Sequence, residues 1–119
     1  MTLRGSGQLD LELSEDDYLQ TILDAARLYR WRFHHTRAAL NRHGARSTPL
    51  QGDPGLPDLL LVRGGRLLAL EVKRENGRAT VEQERWLGEL RRVPGVIAEV
   101  VRPSDWPQVL RLLQPPPAR

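Results

Sequence analysis

Asp58, Glu71 and Lys73 are the residues of this chain whose types and spacing could do chemistry together. Two apolar runs, Asp58 to Arg63 (DLLLVR) and Arg66 to Lys73 (RLLALEVK), are separated only by Gly64 and Gly65. A Gly-Gly loop between strands is a strong hairpin signal, because a type I′ turn needs positive φ at both central residues. That turn pairs Arg63 with Arg66, and counting back along both strands puts Asp58 opposite Glu71. Opposed side chains have Cβ atoms ~4.5–5.5 Å apart, and like charges in that relation destabilise a sheet. At about 5 Å and an effective dielectric of ~20 the repulsion is on the order of 3 kcal/mol. A divalent cation held between the carboxylates would offset it, and Lys73, two residues past Glu71 on the same face, would help. Two oxygen ligands for Mg²⁺ or Mn²⁺ beside a lysine could position a water and stabilise negative charge on a phosphorane-like transition state. The competing reading is a bulge that breaks the register and leaves two solvated acids paired with nearby arginines.

The elements that must position these groups follow from capping and periodicity. Ser14 is a good N-cap, Asp17 stands three residues later, and Tyr18, Ile22, Ala25, Ala26 and Tyr29 recur at helical spacing, which predicts a helix over 14–30 with an acidic first turn. Trp31, Phe33 and His35 alternate with Arg32 and His34, as in a short strand ending near Thr36. From Ala38 to Pro57 the chain has few large apolar residues and collects glycines and prolines, a loop of about 20 residues and long enough to suggest function or disorder. Both hairpin strands are nearly continuous in apolar residues, so both faces should be covered. Thr80 caps a helix over 81–92 with Gln83 at the capping-box position, and Pro94 and Gly95 end it. Val96 to Arg102 is a strand, Pro103 and Ser104 start another helix, and Pro115 to Pro117 stop it. The order is helix, strand, strand, strand, helix, strand, helix, with no internal repeat.

Composition narrows the classes. The chain has 119 residues, 39% hydrophobic and 28% charged, which is one soluble domain with one modest core. The absence of cysteine excludes a disulfide framework, a thiolate zinc site, an iron–sulfur cluster and a cysteine nucleophile. No apolar run approaches the ~20 residues of a membrane span and the N-terminal stretch has no apolar h-region, so the expected setting is the cytoplasm, in a bacterial or phage-infected cell. Of the 18 basic residues only Lys73 is a lysine, an arginine bias that codon usage alone could produce. The net charge of +3 is compatible with a phosphate-bearing partner.

Pro57-Asp58, followed after the hairpin by Glu71-Val72-Lys73, resembles the PD-(D/E)XK nuclease signature. The surrounding GLPDLLLVRGG, LEVKRENGRATVEQERWLGEL and VRPSDW resemble its VRR-NUC (virus-type replication-repair nuclease) branch in small stand-alone form. The resemblance covers roughly residues 14 to 113, leaving 1–13 as an N-terminal extension and 114–119 as a Pro-rich tail. It implies an α/β fold, the restriction-endonuclease-like core with a mixed central sheet flanked by helices. Asp58 and Glu71 resemble the metal-binding carboxylates, with the Val72 carbonyl as a further ligand, and Lys73 resembles the catalytic lysine. Gln83 stands at the place of the family's helix glutamine near the active site, alongside its capping role. Glu15 matches the acid that the first helix contributes to the metal site, with Glu12, Asp16 and Asp17 as close competitors and a favourable charge at the helix N-terminus as its plainer role.

The segment His35-Thr36-Arg37 also resembles this group, where it lies near the active-site mouth, so Arg37 is read as a phosphate contact. Arg42 and Arg46, on a stretch longer than the family's usual connection, and Arg74, next to Lys73, are the further candidate DNA contacts. His34, His35 and His43 lack metal-ligand spacing. The resemblance implies a Mg²⁺- or Mn²⁺-dependent DNA endonuclease like the junction-resolving enzymes. Its expected substrate is branched DNA such as a four-way (Holliday) junction, and symmetric cutting by two sites implies a homodimer. The alternatives are a nickase or flap nuclease, a non-catalytic DNA-binding module that keeps the nuclease fold, and an interaction subunit docking on a replication or recombination partner.

Overall fold

The hydroxyl of Ser14 accepts the Asp17 N–H at 3.1 Å and starts helix α1, Glu15–Leu28. The structure, a computed structural model, describes residues 8–36 and 51–116 and, for the backbone alone, 39–40 and 46–47. At the far end of α1 the Arg30 N–H donates to Arg27 O and the Trp31 N–H to Ala26 O, a Schellman closure with Arg30 at φ 64°. Glycine usually takes that left-handed position, and a side chain there costs about 1 kcal/mol. The chain then enters β1 (Arg32–His35), which pairs antiparallel with β4 (Leu59–Arg63) from Arg32↔Val62 to His35↔Leu59.

The stretch expected to be one loop contains a second, minimal hairpin, β2 (Ala39–Leu40) against β3 (Arg46–Ser47). The element order therefore gains two short strands between the first strand and the long hairpin.

The Gly64-Gly65 turn forms as its residues require, with φ of 56° and 77°. It joins β4 to β5 (Arg66–Val72) in the register Arg63↔Arg66 through Leu59↔Leu70, without a bulge in the ladder. Each strand is one residue shorter at its outer end than the apolar pattern predicts, and Asp58 and Lys73 flank the ladder. Thr80 caps α2 (Val81–Leu90) with both capping-box bonds, and α2 ends two residues before its expected end. The chain returns as β6 (Val96–Val101), parallel to β5 with Glu71 beside Val100. A 3-10 turn at Pro103–Asp105 absorbs the expected start of the last helix, α3 (Trp106–Leu113).

The four-stranded sheet has the order β1-β4-β5-β6 and is mixed, as the α/β expectation required. Strand alternation sends Leu59, Leu61, Leu68, Leu70 and Val72 into the main core with α1 and α3. Ala69 and Ala98 on the other face pack beneath Leu87 of α2. Both faces of the hairpin are thus covered. Tyr18 and Trp106 meet edge to face at 6.4 Å in the main core. Burial, with Asp105 and Glu75 nearby, pushes the Tyr18 phenol above its ordinary range.

All three helices run the same way along the sheet. Their C-termini gather at the hairpin turn, where Leu112 O and Leu113 O accept from Arg66 and from the Trp31 indole, and Gly95 O accepts the Leu67 N–H. Arginines meet these negative helix ends. Arg66 lies 5.4 Å over Trp31, Arg27 lies 5.1 Å over Phe33, and Arg91 binds Ala98 O and the Glu99 carboxylate. The helix N-termini gather at the opposite end of the sheet, with Asp58 and Glu71. Among the described residues no helix is long and apolar enough to cross a membrane.

Candidate active site

Asp58 is fixed by backbone before its side chain is considered. Pro57 is fully buried, and the Asp58 carbonyl accepts the Thr36 N–H at 2.8 Å, which ties it to the end of β1. The preceding loop lies directly on the first turn of α2. A Cβ built on Gly55, at φ +101°, would stand 2.5 Å from the Glu82 carbonyl carbon and 2.8 Å from the Gln83 nitrogen. From this seat Asp58 Oδ1 takes a long bond, 3.5 Å, from the Val72 N–H across the hairpin. Asp58 and Glu71 are therefore brought together on the side of the sheet that α2 covers, as the register argument anticipates.

Glu71 is 3% exposed, a buried carboxylate in a sheet. Its Oε2 lies 3.5 Å from the Lys73 ammonium, while Oε1 has no hydrogen-bond partner among the described residues. Burial first, then the Asp58 carboxylate, pushes the Glu71 carboxyl up to about 7, against the pull of Lys73. Burial also raises Asp58, opposed by the Val72 N–H, His35 and Lys73. Lys73 is 16% exposed, and its backbone N–H donates to Val101 O of the neighbouring strand at 3.0 Å. The competing reading of two solvated acids paired with arginines does not describe this site: the ladder is unbroken and the cation beside Glu71 is Lys73.

Other candidate residues have more varied positions. Glu15, exposed in the first turn of α1, is close enough to raise both carboxyls electrostatically. Among the described residues, however, the acids and histidines do not close into a three-ligand cluster. Gln83 uses its side-chain oxygen to accept the Thr80 N–H at 2.8 Å, so its capping role is realised. The Val72 carbonyl stands between Glu71 and Lys73 in sequence, at the end of β5. Arg74 is exposed beside Lys73, and its carbonyl accepts the Gly77 N–H. Arg37 and Arg42 lie outside the described residues, as does the Arg46 side chain.

His35, expected near the mouth of the site by resemblance, pairs with Leu59 and so stands next to Asp58, where it opposes the rise of that carboxyl. One contributor is not foreshadowed by the sequence. Arg102 donates twice to Gly77 O, at 3.1 and 2.9 Å, and the Ser104 N–H donates to Glu75, so the end of β6 clasps the segment after Lys73. No local signal in the sequence announces the clasp.

The raised carboxyls have a measurable consequence. A carboxyl whose folded pKa lies above its unfolded value binds protons more tightly in the native state, so its contribution to stability falls as pH rises. For Glu71 the fall runs from about pH 4.5 to about pH 7 and is on the order of 3 kcal/mol when complete. Asp58 acts in the same direction. Urea denaturation in EDTA is expected to give lower stability at pH 8 than at pH 5, and a higher value at pH 8 would contradict the assigned burial.

A sequence model of the VRR-NUC domain matches residues 14–105. No curated protein and no solved structure matches the chain. The matched span starts at the cap of α1 and ends beyond the last sheet strand, so the acid pair, Lys73 and the helix that seats them all lie inside it. The chain belongs to the VRR-NUC family and is a nuclease domain of the PD-(D/E)XK type.

Proposed function

We propose that this protein is a Mg²⁺- or Mn²⁺-dependent, structure-selective DNA endonuclease that acts as a homodimer on branched DNA, with a four-way junction as its first-choice substrate. The observation that carries the reading is Glu71: a buried carboxylate facing a second carboxylate, with one oxygen paired to Lys73 and the other left without a partner. In a purely structural role that arrangement only costs stability. It fits a cation site, because an oxygen-rich donor set of two acids suits a hard divalent ion. Asp58 and Glu71 would hold the ion, with the Val72 carbonyl and Glu15 as the further candidates. A bound divalent cation supplies an activated water and a polarised phosphate.

The chain's own groups do the rest. Lys73 keeps a fixed positive charge beside the pair and offsets the negative charge that develops on the phosphorus oxygens. Its position is set twice, by the Val101 carbonyl on its backbone and by Glu71 on its side chain. Asp58 is held at the hairpin's end by Pro57, Thr36 and the Val72 N–H, so the two acids cannot separate without breaking β4 from β5. In Gln83 the cap holds the amide oxygen, leaving the amide NH₂ as the donor that a role toward substrate requires. Arg74, exposed beside Lys73, Arg37, by resemblance, and Arg42 and Arg46 of the stretch that follows it are the proposed phosphate contacts, and the small size of the domain favours reading shape over sequence. The cytoplasm, where such DNA is found, is the proposed setting.

The test is a panel of labelled four-way junction, flap, nicked, single-stranded and linear duplex DNA with Mg²⁺, Mn²⁺ or EDTA. Paired, metal-dependent cuts in the junction are expected, reduced about 10²-fold in Lys73→Ala. Cuts confined to a flap or a nick would replace the junction by that substrate. Binding without cutting under every condition would leave a DNA-binding module with a nuclease fold.

A further inference from the structure

The hairpin end of the sheet carries a concentration of positive charge that the nuclease site does not use. Arg30, Arg32, Arg63, Arg92 and Arg111 come from five different parts of the chain, namely the end of α1, the start of β1, the end of β4, the end of α2 and the end of α3, all at the end of the sheet that carries the Gly64-Gly65 turn. Arg30, Arg32, Arg92 and Arg111 are exposed, and none of the five side chains has an acidic partner among the described residues. The helix ends do not account for them. Three helix C-termini together present about −1.5 charges, and Arg66 and Arg91 already bind carbonyls there. Arg30 is the second observation: it holds a left-handed position where glycine would be less strained, so the fold places a guanidinium at this end at a conformational cost.

Among the described residues the opposite end is richer in acids: Glu15, Asp16 and Asp17 of the first turn of α1 stand there with Asp58, Glu71 and Glu75, near Lys73 and Arg74. Along β5 the separation from Arg66 to Glu71 is roughly 17 Å at ~3.3 Å per residue, beyond a Debye length of ~8 Å at physiological salt. The arginines therefore act on a ligand and not on the carboxylates.

We propose that the hairpin end is a second DNA-backbone contact surface, which grips a duplex arm away from the scissile phosphate and adds its affinity to the contacts made at the site end. This rests on the nuclease reading for its ligand, but its binding readout does not need cleavage. A duplex arm fits because its phosphates are spaced densely enough to meet guanidinium groups spread around one end of the domain.

The test compares wild type with Arg30→Gln/Arg32→Gln/Arg92→Gln, folded by circular dichroism, in fluorescence-anisotropy titrations of a labelled four-way junction in EDTA across a KCl series. Losing three phosphate contacts is expected to lower the slope of log K against log salt by about 2–3 and to weaken binding at least about tenfold at physiological salt. Single-turnover cleavage at saturating DNA is expected to be unchanged, so the effect falls on KM and not on kcat. Arg85→Gln, one charge lost from the outer face of α2, is expected to leave the slope within error. An unchanged slope in the triple variant, or an equal loss per charge in Arg85→Gln, overturns the proposal. If wild type binds with the expected slope but cuts nothing, the nuclease reading fails and the surface stands.

Discussion

Glu71→Gln is expected to abolish cleavage while making the metal-free protein more stable. Activity and stability move in opposite directions because the same property of Glu71 serves both. Its carboxylate is 3% exposed, faces Asp58 and leaves Oε1 without a partner. Burial and like charge make its ionised form costly, as its displacement to about 7 records. Glutamine keeps the shape and removes the charge, which relieves the repulsion and is expected to raise stability in EDTA at pH 8 by about 2 kcal/mol. It also removes one of two anionic ligands at the proposed cation site, so cleavage is expected to fall at least about 10³-fold. Isothermal titration with Mn²⁺ should show weaker binding in the variant. Denaturation midpoints and junction cleavage measured on one preparation check both signs, and a variant that is less stable but still cuts would remove Glu71 from the role assigned to it.

Gly55→Ala is expected to damage the site without touching any group that does chemistry. The added Cβ would meet Glu82 backbone atoms at 2.5 and 2.6 Å, and backbone cannot swing aside as a side-chain tip can. Its φ of +101° adds strain for any L residue. Together these are expected to cost about 3 kcal/mol. The loop that carries Pro57 and Asp58 must lift from α2, so cleavage is expected to fall even where the variant is fully folded. Gly52→Ala is the control: its φ is also positive, at +142°, but nothing lies within 4 Å of its Cβ. It is expected to cost about 1 kcal/mol and to leave cleavage unchanged. Equal behaviour of the two variants in urea denaturation would show that the contact with α2 does not matter.

What could be read from the sequence was local in origin. The Gly64-Gly65 turn sets the hairpin register, and the register alone places Asp58 by Glu71 and puts Lys73 on their face. Ser14 and Thr80 announce their helices because a cap needs only the next three residues. The pairing of β1 with β4 was not legible, since about 20 residues intervene and two of their short segments pair with each other. Resemblance brings His35 to the mouth of the site, but only that pairing sets it beside Asp58. The parallel register of β5 and β6 has no turn to set it, so the clasp of Arg102 on Gly77 was also invisible. Glu15 was recognised by resemblance, and the fold adds that its charge acts on both acids without completing a ligand cluster. The common direction of the three helices emerges only when all pack on one sheet, and the sorting of acids to one end and arginines to the other emerges with it.

The bond from the Trp31 indole to Leu113 O, at 2.8 Å, spans 82 residues and is buried where α1 ends. Lys73 likewise depends on Val101, and the segment after it on Arg102. During synthesis the acid pair is therefore made before the strand that steadies Lys73 and before the helix that closes the core over α1. A chain stopped at the hairpin holds Asp58 and Glu71 without the Val101 carbonyl that fixes the lysine between strands, so the three groups are set in place only after β6 and α3 have been added.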